Sequence, residues 1–121
     1  MLAYVTIGTN DLEKALEFYD ALIGEMGGKR MFENPRGQFY GFAEGTLFGI
    51  LQPENGEAAT GGNGTMLAFK QESQQRVNDI YAKAIALGAS DAGPPGPRGE
   101  SGFYGSYFRD LDGNKVCVYI M

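Results

Sequence analysis

Histidine is missing from all 121 residues, and that absence sorts the chemistry open to this chain. It removes Ser–His and Cys–His nucleophile pairs, every His-containing zinc site and the usual general base near neutral pH. What remains is carboxylates, tyrosines, lysines, arginines and one thiol, Cys117. As a nucleophile Cys117 would need a nearby Lys or Arg for activation; otherwise it is a small buried hydrophobe, the commonest role of a free cysteine. A general base would have to be a loop carboxylate such as Glu44 or Glu100. Asp110, Asp112 and Asn114 imitate the start of a calcium loop, but the glycine stands at the fourth place instead of the sixth, and no Glu occupies the twelfth. That stretch reads as a hairpin turn.

The elements that position these residues follow from periodicity. In the closing segment RDLDGNKVCVYIM (109–121), an Asp-Gly turn leads into a strand. Val116, Val118 and Ile120 face packed structure there, while Cys117 and Tyr119 face the other way. Residues 2–8 form another strand, with Tyr4 and Thr6 on one side and Val5 and Ile7 on the other. Asn10 with Glu13 is a capping-box start, and Leu12, Ala15, Tyr19, Leu22 and Ile23 repeat at helical spacing, so 11–23 is an amphipathic helix ended by Gly24. Segments 29–33, 38–43 and 46–52 are short strands joined by turn sequences.

Residues 53–64 (PENGEAATGGNG) are polar and Gly-rich and read as a flexible connection. A strand over 65–70 follows, then a helix capped by Ser73, carrying Val77, Ile80, Tyr81, Ala84 and Ile85 and closed by Gly88. The segment 90–99 has too much Pro and Gly for a central strand and reads as an edge or loop. Residues 103–109 and 115–121 complete a hairpin.

Strand, helix and strands therefore occur twice. A shift of 62 places Tyr4–Ile7 on Met66–Phe69, a shift of 64 places Phe39-Tyr40-Gly41 on Phe103-Tyr104-Gly105, and a shift of 68 places Phe48–Ile50 on Val116–Val118. Such matches indicate internal duplication, with modules of about 1–52 and 65–121 in a single domain. Each helix would cover one sheet face, above Val5, Ile7, Phe48, Ile50, Leu67, Phe69, Val116 and Val118. The other face, with Tyr4, Thr6, Gly49, Met66, Ala68, Cys117 and Tyr119, has the mixed polarity of a cup lining.

Composition agrees with an ordinary folded domain: 21% charged and 43% apolar residues argue against disorder. A net charge of −5 and a pI near 4.6 argue against nucleic acid or an anionic membrane as partner and favour a neutral or cationic ligand. One cysteine suits a reducing compartment, and the absence of a signal peptide or membrane-length apolar run makes a soluble cytoplasmic protein the expectation.

Three stretches, YVTIGTNDLEKALEFYDALIG, GTMLAFK and DLDGNKVCVYI, give the chain its resemblance to the vicinal oxygen chelate superfamily. That superfamily includes glyoxalase I, extradiol dioxygenases and the fosfomycin and bleomycin resistance proteins. Leu111 stands where the family usually has proline, and the PPGPR…GFYGSYFRDLDGN pattern looks like a bacterial glyoxalase-like subgroup. The resemblance implies an α+β fold in which two βαβββ modules build a curved eight-stranded mixed sheet, commonly in a homodimer. It also places the family's metal ligands, His or Glu, at Tyr4, Gly49, Met66 and Cys117, and none of the four is either residue. Glycine offers no donor and a thioether suits hard divalent ions poorly. The expectation is therefore no metal and no cofactor.

The expected ligand-binding cup comprises Tyr4, Thr6, Gly49, Met66, Ala68, Arg98, Cys117 and Tyr119, with no assigned catalytic residue. Tyr4 and Tyr119 would stack a ligand or simply fill the cup, and Met66 suits gap-filling. Arg98 would reach over the cup to clamp a carboxylate or phosphate, or be solvated. Tyr104 and Tyr107 fall on opposite strand faces, so at most one points into the cup. The function expected is metal-independent small-molecule binding; the alternative is a glyoxalase-like lyase or isomerase working without the usual metal.

Overall fold

The computed structural model describes all 121 residues as two compact units, Met1–Gly61 and Gly62–Met121. The first contains β1 (Tyr4–Gly8), α1 (Leu12–Glu25), β2 (Lys29–Asn34), β3 (Gly37–Gly41) and β4 (Leu47–Leu51). The second repeats the order with β5 (Met66–Lys70), α2 (Gln74–Ala86), β6 (Ser90–Pro97), β7 (Tyr104–Arg109) and β8 (Lys115–Ile120). This is the expected α+β arrangement of paired βαβββ modules. The eight strands hydrogen-bond as two mixed four-stranded sheets, ordered β1-β4-β3-β2 and β5-β8-β7-β6. In each, the first strand runs parallel to the last and the other pairs are antiparallel.

Local chemistry sets the boundaries, in places differently from the sequence expectation. Asp11, not Asn10, caps α1, its carboxylate accepting from the Lys14 amide at 3.2 Å. The helix also runs past Gly24. Its stop is Gly27, at φ +88°, where the Gly28 amide reaches back to the Ile23 carbonyl at 2.9 Å. Such a left-handed closing position favours glycine, whereas Gly24 stays within the helix. In α2 both expected signals hold: Ser73 accepts from the Arg76 amide, and Gly88, at φ +108°, follows the last turn. The proline-rich β6 is an edge strand with two register shifts, which relieves it of donors that proline lacks.

Asn10 has another task. Its side chain donates to the Ala59 carbonyl (3.0 Å) and accepts from the Ala59 amide (2.7 Å), so the Gly-rich segment is anchored to the end of β1. Gly8 makes room for this approach, because a Cβ there would meet the Ala59 Cβ at 2.8 Å.

Each helix covers three of the four strands of its sheet. Ala15, Phe18, Tyr19, Leu22 and Ile23 of α1 are buried over β2, β3 and β4, where Tyr40, Phe48 and Ile50 lie. Val77, Ile80 and Ala84 of α2 pack over β6, β7 and β8, where Phe108, Val116 and Val118 are fully buried. Each large apolar side chain removed from water contributes about 1.5–3 kcal/mol. The edge strands β1 and β5 lie beside this cover, which leaves Val5, Leu67 and Phe69 half-buried instead of in the core, and Ile85 of α2 is exposed. Neither helix is long and apolar enough to cross a membrane.

A polar triad pins α1 to its sheet. Arg30 donates to both Asp20 oxygens at 2.8 Å, and the Tyr40 hydroxyl donates to the same carboxylate at 2.6 Å. Burial pushes the Asp20 carboxyl up, but the hydrogen bonds from Arg30 and Tyr40 and the charge of Arg30 outweigh it and hold the group below its ordinary 3.8. Its stabilising contribution is therefore complete above that ordinary value and is lost as pH falls through the lower folded one. Asp20→Ala is expected to cost about 1 kcal/mol at neutral pH, because the ion pair is largely exposed and one hydrogen bond to Tyr40 is lost. Urea unfolding from pH 7 to pH 2 checks it: below the ordinary carboxylate value the wild-type curve should fall toward that of the variant.

Candidate functional site

The helix-free face of the first sheet is organised by one ring. Thr6 pairs with Gly49, Gly49 with Phe39 and Phe39 with Phe32 across β1, β4, β3 and β2. Phe39 lies over Gly49, where an added Cβ would meet two ring carbons at 3.0 Å. Phe32 stacks on Phe39 (centroids 4.8 Å apart, 18° between planes), and Tyr4 meets it edge-on at 5.5 Å. Phe39 is buried, while Tyr4 and Phe32 are 59% and 51% exposed, so the cluster presents aromatic surface outward. Beside it the anchored segment closes a groove of about 630 Å³, lined by Tyr4, Thr6, Phe39, Arg36, Gln52 and Ala59 among others. Arg36 is fixed within it by donating to the Gln52 carbonyl at 3.0 Å.

The second unit repeats this register with different side chains. Ala68 pairs with Cys117, Cys117 with Tyr107 and Tyr107 with Gly93. Tyr107 is thus the counterpart of Phe39, at a shift of 68. The match of Phe39-Tyr40-Gly41 to Phe103-Tyr104-Gly105 is overturned: those three residues are alike in type but not in place. Phe103 instead lies over Gly105 and stacks on Tyr119 at 5.0 Å. Tyr104 points to the helix side and donates to Asn78, leaving Tyr107 on the helix-free face.

Cys117 is buried and pairs with Tyr107 across β8 and β7. Burial pushes the thiol up; the Tyr107 hydrogen bond and the charges of Arg98 and Lys115 only partly offset this. The group stays a neutral thiol near pH 7, as a small packed hydrophobe and not an activated nucleophile. Burial also pushes the Tyr107 hydroxyl up, with Cys117 adding to the effect. The Arg98 guanidinium carbon and the Lys115 ammonium lie 5.4 and 5.3 Å from the Tyr107 ring centroid. Arg98 does not swing out as a free clamp, because it donates to the carbonyls of Pro94, Gly96 and Pro97 in its own segment.

The expected site residues therefore fall into two sets. In the first unit Tyr4 and Thr6 are exposed beside a buried Gly49. In the second, Met66 and Ala68 are exposed, Cys117 is buried, and Arg98 and Tyr119 are half-buried. Phe39, Phe32 and Lys115 were absent from the expected site, although pairing β3 with β4 from their connecting turn would have put Phe39 opposite Gly49. Glu44 and Glu100 stand exposed in turns. Asp110 is spent on its own turn: one oxygen accepts from the Asp112 and Asn114 amides at 2.9 Å, the other from the Asn114 side chain at 3.0 Å.

The glyoxalase/bleomycin resistance protein/dioxygenase superfamily model matches residues 1–118. The chain belongs to that superfamily. A glyoxalase/bleomycin resistance protein from Albidiferax ferrireducens T118 is 39% identical, with a TM-score of 0.91 over 100% of this chain and 98% of that one. A glyoxalase-related enzyme from Fulvimarina pelagi (24% identical, TM-score 0.81, 100% and 88% covered) shares the fold. So does the fosfomycin resistance protein FosX from Mesorhizobium loti (19%, 0.73, 100% and 92%). No curated protein matches the chain significantly.

The family's metal positions can now be tested against the side chains that hold them. Phe39 occupies the space above Gly49, and burial keeps the Cys117 thiol, opposite Tyr107, protonated. Tyr4 and Met66 offer an exposed phenol and thioether. No group of three His, Cys, Asp or Glu side chains gathers within either unit. This set does not fit a hard divalent ion, which calls for carboxylate and imidazole donors.

Gly49→Ala should cost about 1–3 kcal/mol, since the Phe39 ring must shift in a packed setting. Combining it with Phe39→Ala should recover part of that cost, giving a coupling energy of about 0.5 kcal/mol or more by denaturant unfolding of all four proteins. Strict additivity would show that the ring does not hold the space over Gly49.

Proposed function

We propose that the protein is a metal-independent small-molecule binding protein of the bleomycin-resistance type. The observation that carries this reading is the pair of aromatic residues, Phe39 and Tyr107, set against two of the positions where relatives hold metal ligands. Binding by shape and stacking needs no catalytic group, so the loss of metal ligands leaves it intact. The groove beside Tyr4 supplies a concave surface with aromatic and polar walls, large enough for a small organic molecule. The reading keeps the expected cytoplasmic homodimer, whose mass light scattering would report.

Thermal-shift screening of a small-molecule library, in wild type and Tyr4→Ala, is the direct test. Ligands of the groove should raise the wild-type Tm by several degrees and lose most of that effect in the variant, with EDTA changing neither result. Hits that stabilise both proteins equally would remove the groove as the site. Stoichiometric divalent metal in the purified protein, or glyoxalase turnover abolished by a chelator, would overturn metal independence.

A further inference from the structure

We propose that Arg98 and Lys115, held against Tyr107 on the helix-free face of the second unit, bind a small organic anion bearing carboxylate or phosphate groups. It goes beyond the binding reading, since the groove beside Tyr4 belongs to the first unit and these residues to the second. The sequence has 15 acidic residues against 10 basic ones, so cations ought to find carboxylates easily. Yet Arg98 and Lys115, both half-buried, have no carboxylate partner. An arriving anion would supply the counter-charge that each lacks, through charge-assisted hydrogen bonds.

Both groups keep donors for that purpose. Arg98 has five N–H donors, and its bonds to Pro94 (2.6 Å), Gly96 (2.9 Å) and Pro97 (3.4 Å) come only from its two terminal nitrogens, so the Nε–H is uncommitted. Lys115 has three donors, and its ammonium lies over the Tyr107 ring. These carbonyl and ring contacts hold the cations in place before a ligand arrives, which lowers the ordering cost of binding. Both cations lie within 5.4 Å of the same ring centroid, so Tyr107 is their common neighbour. On the same strand face, Tyr119 stacked with Phe103 offers an apolar neighbour for the ligand body. The acidic net charge pointed instead to a neutral or cationic ligand; the local arrangement of charge points the other way.

The test is a two-dimensional amide NMR titration of the full chain with succinate, inorganic phosphate and, as neutral control, succinamide. Succinate or phosphate should give saturable shifts centred on Tyr107, Lys115 and Cys117. Lys115→Met, which keeps the stem over the ring, should weaken binding by about tenfold or more, the usual scale for losing a charge-assisted hydrogen bond. Arg98→Lys, which keeps the charge and loses the fork, should weaken it less. Succinamide should not bind. Equal binding of succinamide, unchanged affinity in Lys115→Met, or unsaturated shifts spread over surface lysines would overturn the site. If no anion binds while library ligands still occupy the Tyr4 groove, the anion site falls and metal-independent binding stands.

Discussion

The steric relation between a strand position and the ring beside it governs much of this molecule. In the first unit Gly49 has no side chain because Phe39 needs the room, and Phe39 lies there because β3 and β4 pair in a register that puts the two opposite. With the ring fixed, Phe32 and Tyr4 find their places against it, and the exposed aromatic surface follows. A larger residue at 49 would displace the ring and the contacts it organises. Close packing makes the space over Gly49 tight: with the ring in place, even a Cβ there would force a shift.

The second unit shows how one backbone solution takes different chemistry. Its strands pair in the same register, but tyrosine replaces phenylalanine and cysteine replaces glycine. There the strand residue opposite the ring has a side chain of its own, where the first unit relied on an empty Cβ site. Cations then gather on the tyrosine, whose electron-rich face attracts them, while the first unit's equivalent ring collects other aromatics. Duplicated modules keep their register because a slip would turn a whole strand inside out, whereas the side chains on the open face can diverge.

Much of the fold was legible because its signals are periodic. Alternation in β8, helical spacing in α1 and α2, and glycine punctuation each follow from the hydrogen-bonding geometry of the backbone. The errors arose where two residues offered the same local signal. Asn10 and Asp11 are both good caps, and tertiary contact with Ala59 decided between them. Gly24 and Gly27 both suit a helix end, but only Gly27 takes a positive φ. The repeated Phe-Tyr-Gly was a likeness of composition, corrected by pairing register. The candidate site was less legible, since whether an outward-facing residue is covered depends on its cross-strand neighbour. Cys117 and Met66 share a face, and one is 2% exposed and the other 44%. The partners that decide this, Tyr107 and Lys115, come from register and not from the spacing of the expected residues.

The burial of Cys117 has a kinetic consequence. It is the chain's sole thiol, it lies wholly in the second unit, and it is buried. An alkylating reagent must wait for the β7–β8 hairpin to open, so when closing outpaces labelling, the reaction rate is set by the free energy of that opening. No thiol in the first unit competes. Every unmodified molecule thus carries its own clock for fluctuations of one module, started by adding reagent and read by a single change in mass.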